Sequence, residues 1–468
     1  VNKLIFKIKK NKFTFFKNRN YQMKSTPDDT LIEKIFSDLT KANSKTKEYY
    51  PGELPDRQPV QTVYGGAQLF KFDTAVKMGE LALRTFLEYA HDINEFAEAF
   101  GLKSDDELPG KVYFKIIDKL KKEAVEDFRI DFEDGFGVRS DKEEDEAAKQ
   151  TALETAKGIE NNTLPPFFGI RIKDFSEEHK RRAVRTLDIF LSTLTEKSNR
   201  KLPENFVVTL PKVTVKEHVS SLVNIFDILE SKLNLPSGFL KMEIMIETTQ
   251  SIFDTKGRSN LLKLVTAGKG RCKAAHFGVY DYTASCDITA RLQAMDHPVC
   301  DFARNMMKVS LAGTGVWLSD GATNVMPVGP NKGDNLSAGQ KNENKVIVHR
   351  AWKKMYDDVQ HSLKNAFYQG WDLHPAQLPV RYAAVYMFFL SGQKEASERL
   401  KNFIEKAAQA TLVGDVFDDA ATGQGLLNYF LRSLNCGAIT EDEILNTGLT
   451  LEEVREKSFV KILDKRRK

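Results

Sequence analysis

Short apolar runs alternate with longer stretches of helical periodicity along most of the chain. Eight runs rich in β-branched and aromatic residues, bounded by Gly, Asp or Pro, predict strands within 60–66, 124–135, 167–173, 205–213, 241–248, 274–281, 315–321 and 370–375. Between them, segments such as TAVKMGELALRTFLEYAHDI repeat apolar residues at helical spacing. Eight strands alternating with helices predict an α/β fold, a (β/α)8 TIM barrel over residues 58–380.

Three further segments flank the predicted barrel. Residues 28–57 predict an N-terminal helical arm, and 381–468 a C-terminal helical extension. Residues 1–27 carry eight Lys and Arg and no acid, which predicts a disordered basic leader, or an upstream extension with Met23 as the natural start. This leader lacks the continuous apolar region and cleavage site of a secretory signal, and it is rich in Lys and Asn rather than in the Arg and Ser of a transit peptide.

The net charge of +4 comes from the leader, because the rest of the chain has 61 basic and 65 acidic residues. This balance argues against a broad nucleic-acid-binding face. The longest apolar run, AAVYMFFL, is too short to cross a bilayer. The four cysteines show neither CxxC pairing nor metal-ligand spacing, which is typical of a reducing compartment. We therefore expect a cytoplasmic protein without nucleic-acid or membrane partners.

The segment DFRIDFEDGFGVR, residues 127–139, places Asp131, Glu133 and Asp134 at the end of the second predicted strand. In a (β/α)8 barrel the functional groups lie at the carboxyl ends of the strands. The following strands also end in polar or functional residues, namely Arg171, Lys173, Lys212, Glu247, Asp281, Asp320 and His374. One such residue could merely cap a loop. Their recurrence over seven successive strands predicts one common site.

Carboxylates at this rim favour Mg²⁺, with Mn²⁺ as an alternative, because both ions prefer oxygen ligands. Glu247 and Asp281, on adjacent strands, are the expected direct ligands, and Glu133 and Asp134 would hold water molecules bound to the metal. The metal would stabilise an enolate as a Lewis acid. The guanidinium of Arg171 would bind a substrate carboxylate, or alternatively would pair with the neighbouring acids.

Six motifs, DFEDG, GIRIK, LPKV, IETTQS, FGVYDY and LHPAQ, occur in the order found in one enzyme superfamily. With them the chain resembles the citrate lyase beta-subunit and HpcH/HpaI aldolase superfamily, whose members are Mg²⁺-dependent barrels related to malate synthase and to the phosphoenolpyruvate/pyruvate enzymes. The resemblance implies a homo-oligomer, with Glu247 and Asp281 as metal ligands and Arg171 as the substrate-binding arginine. We also assign Asp131 and Lys212 to substrate binding.

The chain departs from this superfamily in its length and in one loop. Residues 322–345, which follow the seventh predicted strand, form an unusually long glycine-rich segment. Because it leaves the catalytic rim, it could be a lid or a surface insertion. It lacks the spacing of a P-loop. The substrate therefore cannot be transferred from the superfamily.

The expected activity is a Mg²⁺-dependent carbon–carbon lyase or aldolase acting on a small oxo-acid or hydroxy-acid, or on an acyl-CoA. Glu133 or a metal-bound hydroxide would be the base. The alternatives are malate-synthase-like condensation of an acyl-CoA, thioester hydrolysis, and a non-catalytic binding protein.

A further candidate catalytic acid, Asp418, lies in the segment GDVFDDAATGQG, residues 414–425. The segment resembles the G-x-x-[apolar]-D element of citrate-lyase-like and malate-synthase-like proteins. An aspartate there could act as the base that enolises an acyl-CoA. Alternatively, Asp418 or Asp419 caps a helix that starts near Ala420.

Overall fold

The computed structural model describes residues 29–52, 56–103, 106–405, 411–413, 416–418, 420–445, 447–456 and 458–466. The chain divides into two units, one ending at Tyr50 and one starting at Pro51. In the first unit, helix α1 (Asp29–Tyr49) repeats Leu31, Ile35 and Leu39 at a spacing of four residues, which places them on one face of the helix.

The second unit contains a closed barrel of eight parallel strands in chain order, β1 (Gln61–Gly66), β2 (Asp127–Asp131), β3 (Phe167–Arg171), β4 (Asn205–Leu210), β5 (Lys241–Ile246), β6 (Cys272–Phe277), β7 (Trp317–Ala322) and β8 (Gln369–Asp372). Strand β8 pairs in parallel with β1 and closes the barrel, with Gln61 opposite Gly370. This confirms the predicted (β/α)8 fold, and each strand overlaps one of the predicted runs.

Helices connect and follow the strands. Those between β1 and β5 are α2 (Thr74–Tyr89), α3 (Ile93–Phe100), α4 (Glu107–Glu123), α5 (Asp141–Asn161), α6 (Lys180–Lys197) and α7 (Lys216–Leu233). Those between β5 and β8 are α8 (Thr249–Ile252), α9 (Leu261–Ala267), α10 (Val279–Ser285), α11 (Pro298–Leu311) and α12 (Ala338–Lys364), and single 3₁₀ turns lie at Ala67–Leu69, Ala290–Leu292 and Pro375–Gln377. After β8 come α13 (Leu378–Ser391), α14 (Gln393–Glu405), α15 (Ala420–Asn435), α16 (Glu441–Leu445), α17 (Leu451–Glu456) and α18 (Phe459–Arg466).

Two short strands, β9 (Thr411–Val413) and β10 (Val416–Asp418), form an antiparallel pair between α14 and α15.

The long loop after β7 is shorter than expected, because α12 already begins at Ala338. Its start is fixed by a capping box, in which the side chains of Ser337 and Gln340 each accept a hydrogen bond from the other residue's backbone N–H. Among the described residues, no helix combines the length and apolar composition needed to cross a membrane.

The two faces of the barrel strands differ in chemistry. Residues that point toward the helices are apolar and almost fully buried, among them Phe128, Ile130, Phe168, Ile170, Val208, Ile244, Ile246 and Phe277. Because side chains alternate along a strand, the intervening residues point into the barrel. Many of these inward residues are polar or charged, whereas branched apolar residues usually fill a barrel interior.

An ionic network fills the middle of the barrel. The guanidinium of Arg129 donates hydrogen bonds to both carboxylate oxygens of Glu243, at 2.8 and 2.9 Å, and also to Asp127. Nε2 of His276 lies 3.1 Å from Glu243, and all four side chains are buried. Each buried charge therefore has an opposite charge or a polar group against it, which is the condition under which charges are tolerated in a protein interior.

We predict that Arg129→Met destabilises the protein by about 3–5 kcal/mol, because it leaves the carboxylates of Asp127 and Glu243 buried without their cation. Denaturant unfolding followed by circular dichroism measures this change. As a control, Arg185→Met removes the exposed ion pair with Asp145 and should change the free energy of unfolding far less. Equal effects of the two substitutions would contradict the assignment.

Candidate active site

The register of the barrel brings Asp131 and Arg171 together. The two residues end β2 and β3 and are direct partners across these strands. Nε and Nη2 of Arg171 donate to the two carboxylate oxygens of Asp131, at 2.7 and 2.6 Å. The backbone N–H groups of Glu133 and Gly135 donate to the same oxygens, at 2.9 and 2.7 Å. Burial tends to raise the pKa of Asp131, but Arg171 and these N–H groups lower it overall.

Glu133 lies between two cations above this pair. Its carboxylate accepts a hydrogen bond from Nζ of Lys212, and its Oε2 lies 3.1 Å from Nη1 of Arg171. Oε2 is buried and has no hydrogen-bond partner of good geometry. Burial, helped by the charge of Asp134, raises the pKa of Glu133 against the opposing effect of Arg171 and Lys212. A buried carboxylate whose pKa is raised is suited to accept a proton.

Glu247 follows β5 and is fully buried. Its Oε1 accepts a hydrogen bond of 2.6 Å from the backbone N–H of Lys212. Burial, together with the charges of Glu133 and Asp281, raises the pKa of Glu247 to about 8, although Lys212 and Arg171 oppose the shift. Gly278 makes room for it, because a Cβ on Gly278 would lie 2.6 Å from the Cβ of Glu247.

Lys212 is the centre of the cluster. It follows β4, and its backbone has a φ of +48°, in the left-handed region that non-glycine residues seldom adopt. Besides contacting Glu133, its Nζ lies 3.6 Å from Asp134 and 3.8 Å from Asp281, which is in the first turn of α10. Burial tends to lower the pKa of Lys212, but the surrounding carboxylates raise it overall.

Seven of the sequence-predicted rim residues thus form one cluster, namely Asp131, Glu133, Asp134, Arg171, Lys212, Glu247 and Asp281. Its five carboxylates face two cations, Arg171 and Lys212. This surplus of negative charge favours the binding of a further cation or the retention of a proton.

Two aromatic residues of the site were not identified from the sequence. Tyr64 of β1 and Trp371 of β8 lie with their ring centroids 4.5 Å apart, and the guanidinium of Arg171 lies 4.9 Å from the Tyr64 ring and 5.9 Å from the Trp371 ring. The indole N–H of Trp371 donates to Nδ1 of His276 at 3.1 Å. Alternation along β1 and β8 could have indicated that both aromatic residues point inward, but not that they face Arg171.

Two further predicted rim residues make contacts outside this cluster. Asp320 is completely buried within β7 and accepts hydrogen bonds from Nε of Arg304 in α11 and from Ser362 in α12, so it faces the helices and not the rim. The prediction for Asp320 was wrong because it depended on where β7 ends, and β7 continues to Ala322. His374 caps the turn Pro375–Gln377 through Nδ1.

The remaining two candidates are Lys173 and Asp418. Lys173 donates to the carbonyl of Phe132 at 3.1 Å and lies 3.6 Å from Glu144, on the side of α5. Asp418 ends β10, and its side chain lies outside the described part of the structure.

A cavity of about 620 Å³ opens at the opposite, amino end of the barrel. Lys241 and Trp317, the first residues of their strands, contribute to its wall, and Arg129 and Glu243 of the central network border it. The four carboxylates that line this cavity are equalled in number by four cations, Arg57, Arg129, Lys241 and Lys273, whereas the five carboxylates of the carboxyl end face only two. We therefore place the candidate active site at the carboxyl end.

The residues of this end fit a divalent cation. They offer hard oxygen donors, a net negative charge and the buried Oε2 of Glu133, which accepts no hydrogen bond of good geometry. In the described part of the chain, no three His, Cys, Asp or Glu side chains are already gathered in a metal-binding arrangement. A Mg²⁺ site with two direct carboxylate ligands does not need three, since water and substrate complete the coordination.

The fold is similar to that of a solved citrate lyase. A citrate lyase from Burkholderia xenovorans LB400 superimposes with a TM-score of 0.55 at 16% sequence identity, over 84% of this chain and 97% of the other. The comparison shows the barrel fold that the resemblance to the citrate lyase beta-subunit superfamily implied.

Two further structures match with lower scores. CitE from Mycobacterium tuberculosis, in complex with magnesium, acetoacetate and coenzyme A, has a TM-score of 0.43 and 12% identity over 82% of this chain and all of its own. Haloferax volcanii malate synthase in its magnesium/glyoxylate complex has a TM-score of 0.43 and 14% identity over 85% of this chain and 97% of its own.

The sequence profile of DUF6986, a domain of unknown function, matches residues 39–462. The chain therefore belongs to the DUF6986 family. No curated protein matches it in sequence.

We predict that Glu247→Gln stabilises the metal-free protein relative to the wild type, and that this stabilisation is larger at pH 8 than at pH 5. The pKa of Glu247 is raised from 4.5 to about 8, so its carboxyl group ionises in the unfolded chain before it does so in the folded protein. The wild type therefore loses stability, relative to the glutamine variant, as the pH rises through this window, by on the order of a few kcal/mol. Denaturant unfolding in the presence of a chelator measures the difference at each pH.

The exposed Glu160 provides the matched control, because Glu160→Gln on α5 replaces a carboxylate that lies in solvent. Its unfolding free energy should follow that of the wild type at both pH values. If the curves of wild type and Glu247→Gln stay parallel from pH 5 to pH 8, Glu247 does not titrate in this range.

Proposed function

We propose that the carboxyl end of the barrel is a Mg²⁺-dependent active site that cleaves a carbon–carbon bond in a small oxo-acid or hydroxy-acid, free or as a CoA thioester. The observation that carries the proposal is the cluster of five carboxylates around Arg171 and Lys212. The barrel fold of citrate lyase-type proteins agrees with it. Glu247 and Asp281 would hold the metal, with Mn²⁺ as a substitute, and Glu133 and Asp134 would bind its water molecules.

The metal would supply Lewis acidity toward the oxo and carboxylate oxygens of the substrate. Arg171 would orient the substrate carboxylate through Nη1, because Nε and Nη2 are held by Asp131. The contribution of Asp131 to substrate binding is then to fix the guanidinium in position. Tyr64 and Trp371 would cover the other side of Arg171 and limit the access of water.

The proton transfers would be carried out by Glu133. For a substrate with a hydroxyl group two carbons from the oxo carbon, the carboxylate of Glu133 would accept the hydroxyl proton as the carbon–carbon bond breaks. The bonding electrons pass to the oxo-acid fragment as its enolate, and the other fragment leaves as an aldehyde or ketone. The proton on Glu133 can then return to the enolate carbon, so that the reaction consumes and releases no other proton.

Condensation of an acyl-CoA with a 2-oxo acid, or hydrolysis of the resulting thioester, uses the same metal and arginine. It needs in addition a base for the acyl carbon, which is the role proposed for Asp418. Assays of oxo-acids, hydroxy-acids and acyl-CoAs with and without Mg²⁺ distinguish the functions. Release of pyruvate or another oxo-acid supports the lyase, and CoA release that requires glyoxylate supports condensation. Lack of any turnover supports a binding protein.

We predict that Glu247→Gln weakens Mg²⁺ binding at least about tenfold. Removing a residue that only supports a metal ligand already lowers metal affinity by about this factor, and removing a direct ligand should lower it further. Isothermal titration calorimetry measures the affinity, and circular dichroism verifies the fold. Glu177→Gln is the control, since Glu177 is an exposed acid in the loop that follows β3 at the same end of the barrel. Unchanged affinity of the Glu247 variant would rule out this ligand.

For the substrate site, we predict that Arg171→Lys lowers kcat/KM. The loss corresponds to roughly 2–4 kcal/mol of transition-state stabilisation, because lysine keeps the charge but cannot bind Asp131 and a carboxylate at once. Steady-state kinetics on the substrate found in the screen measures the change. Arg182→Lys, a buried arginine that pairs with Asp145 in the helix layer, should leave kcat/KM near the wild-type value. Wild-type kinetics for Arg171→Lys would make the arginine purely structural.

A further inference from the structure

The position of Lys212 suggests a role beyond contact with substrate. Its Nζ contacts Glu133 and lies within 4 Å of both Asp134 and Asp281. These are carboxylates proposed to hold the divalent cation or its water molecules. An ammonium group and a hydrated divalent cation cannot share this volume, since like charges at such a distance repel strongly.

The backbone of Lys212 is held in place independently of its side chain. The N–H of Lys212 donates to Glu247, another of the carboxylates, and the backbone has a φ of +48°. The side chain itself remains about one-third exposed. The four rotatable bonds of lysine therefore allow the ammonium to leave the carboxylates without movement of β4 or Glu247.

We propose that Lys212 is an exchangeable cation, whose ammonium holds the rim carboxylates together in the metal-free protein and withdraws when a divalent cation binds. This inference rests on the proposed metal site. Two consequences follow. The apparent affinity for metal is lowered by the fraction of molecules in which the ammonium occupies the site. The displaced ammonium also becomes available at the edge of the site to bind an anionic substrate.

The first test compares Mn²⁺ binding to the wild type, Lys212→Met and Lys212→Arg by calorimetry. The methionine variant has a neutral side chain of similar length and should bind Mn²⁺ about fivefold more tightly or better. The arginine variant retains the competing charge and should not gain affinity. Lys173→Met is the matched control, because Lys173 also follows a barrel strand but its ammonium contacts Phe132 and Glu144. Its affinity should equal that of the wild type.

The outcomes separate the two proposals. If the wild type binds Mn²⁺ and Lys212→Met binds it equally or less tightly, the role of Lys212 is refuted and the metal site remains. If neither protein binds Mn²⁺, the metal site and the inference both fail. Tight binding by Lys212→Met alone supports both.

A second measurement needs no variant and also covers the case in which Lys212→Met does not fold. The wild type is treated briefly with an amine-acetylating reagent, with and without Mn²⁺, and each lysine is quantified by mass spectrometry. Release from the carboxylates should increase the acetylation of Lys212 several-fold in the presence of Mn²⁺, while Lys173 stays unchanged. Equal labelling of Lys212 in both samples, at a Mn²⁺ concentration that saturates the site, would overturn the inference.

Discussion

The buried carboxylates along the barrel axis must be matched by cations, and this constraint organises the structure. In the middle of the barrel each buried carboxylate contacts a cation, because Arg129 forms hydrogen bonds with both Asp127 and Glu243. At the carboxyl end Arg171 and Lys212 face a larger number of acids. A charge inside a protein that lacks an opposite charge shifts its protonation or binds an ion. The raised pKa of Glu247 and the proposed metal site have this single physical origin.

The parallel register turns this constraint into a geometry. Because β2 and β3 are aligned so that Asp131 faces Arg171, the guanidinium is fixed by two hydrogen bonds before any ligand arrives. Preorganisation of this kind lowers the entropic cost of binding. It also leaves only one nitrogen of the guanidinium, Nη1, directed at Glu133 and the open side of the site.

Small residues make the close approach of charged groups possible. Gly278 follows β6 beside Glu247, where any side chain would collide with the carboxylate. Gly135 turns the chain after Asp131 and donates its N–H to that residue, and a Cβ on Gly135 would lie 2.6 Å from Oδ2 of Asp131. The glycines of the DFEDG and FGVYDY motifs are thus explained by the space that the buried carboxylates require.

The sequence by itself determined the barrel and most of the rim. Strand-length apolar runs separated by helices specify a parallel sheet, and eight of them specify closure, because these patterns arise from backbone geometry and burial. The acids of the DFEDG motif, Arg171, Lys212, Glu247 and Asp281 could be assigned to one end of the barrel because each directly follows a strand or lies at its end.

Only the tertiary structure decided how these residues divide their contacts. The sequence left open whether Arg171 binds a ligand or pairs with a neighbouring acid, and the strand register shows that Asp131 takes two of its nitrogens. Asp320 could not be separated from the rim acids, because a shift of one residue along a strand moves a side chain to the opposite face. The place of the Lys212 ammonium among three carboxylates depends on β2, β4 and β6 meeting at one rim. Such contacts between residues distant in sequence follow from closure of the barrel and not from local pattern.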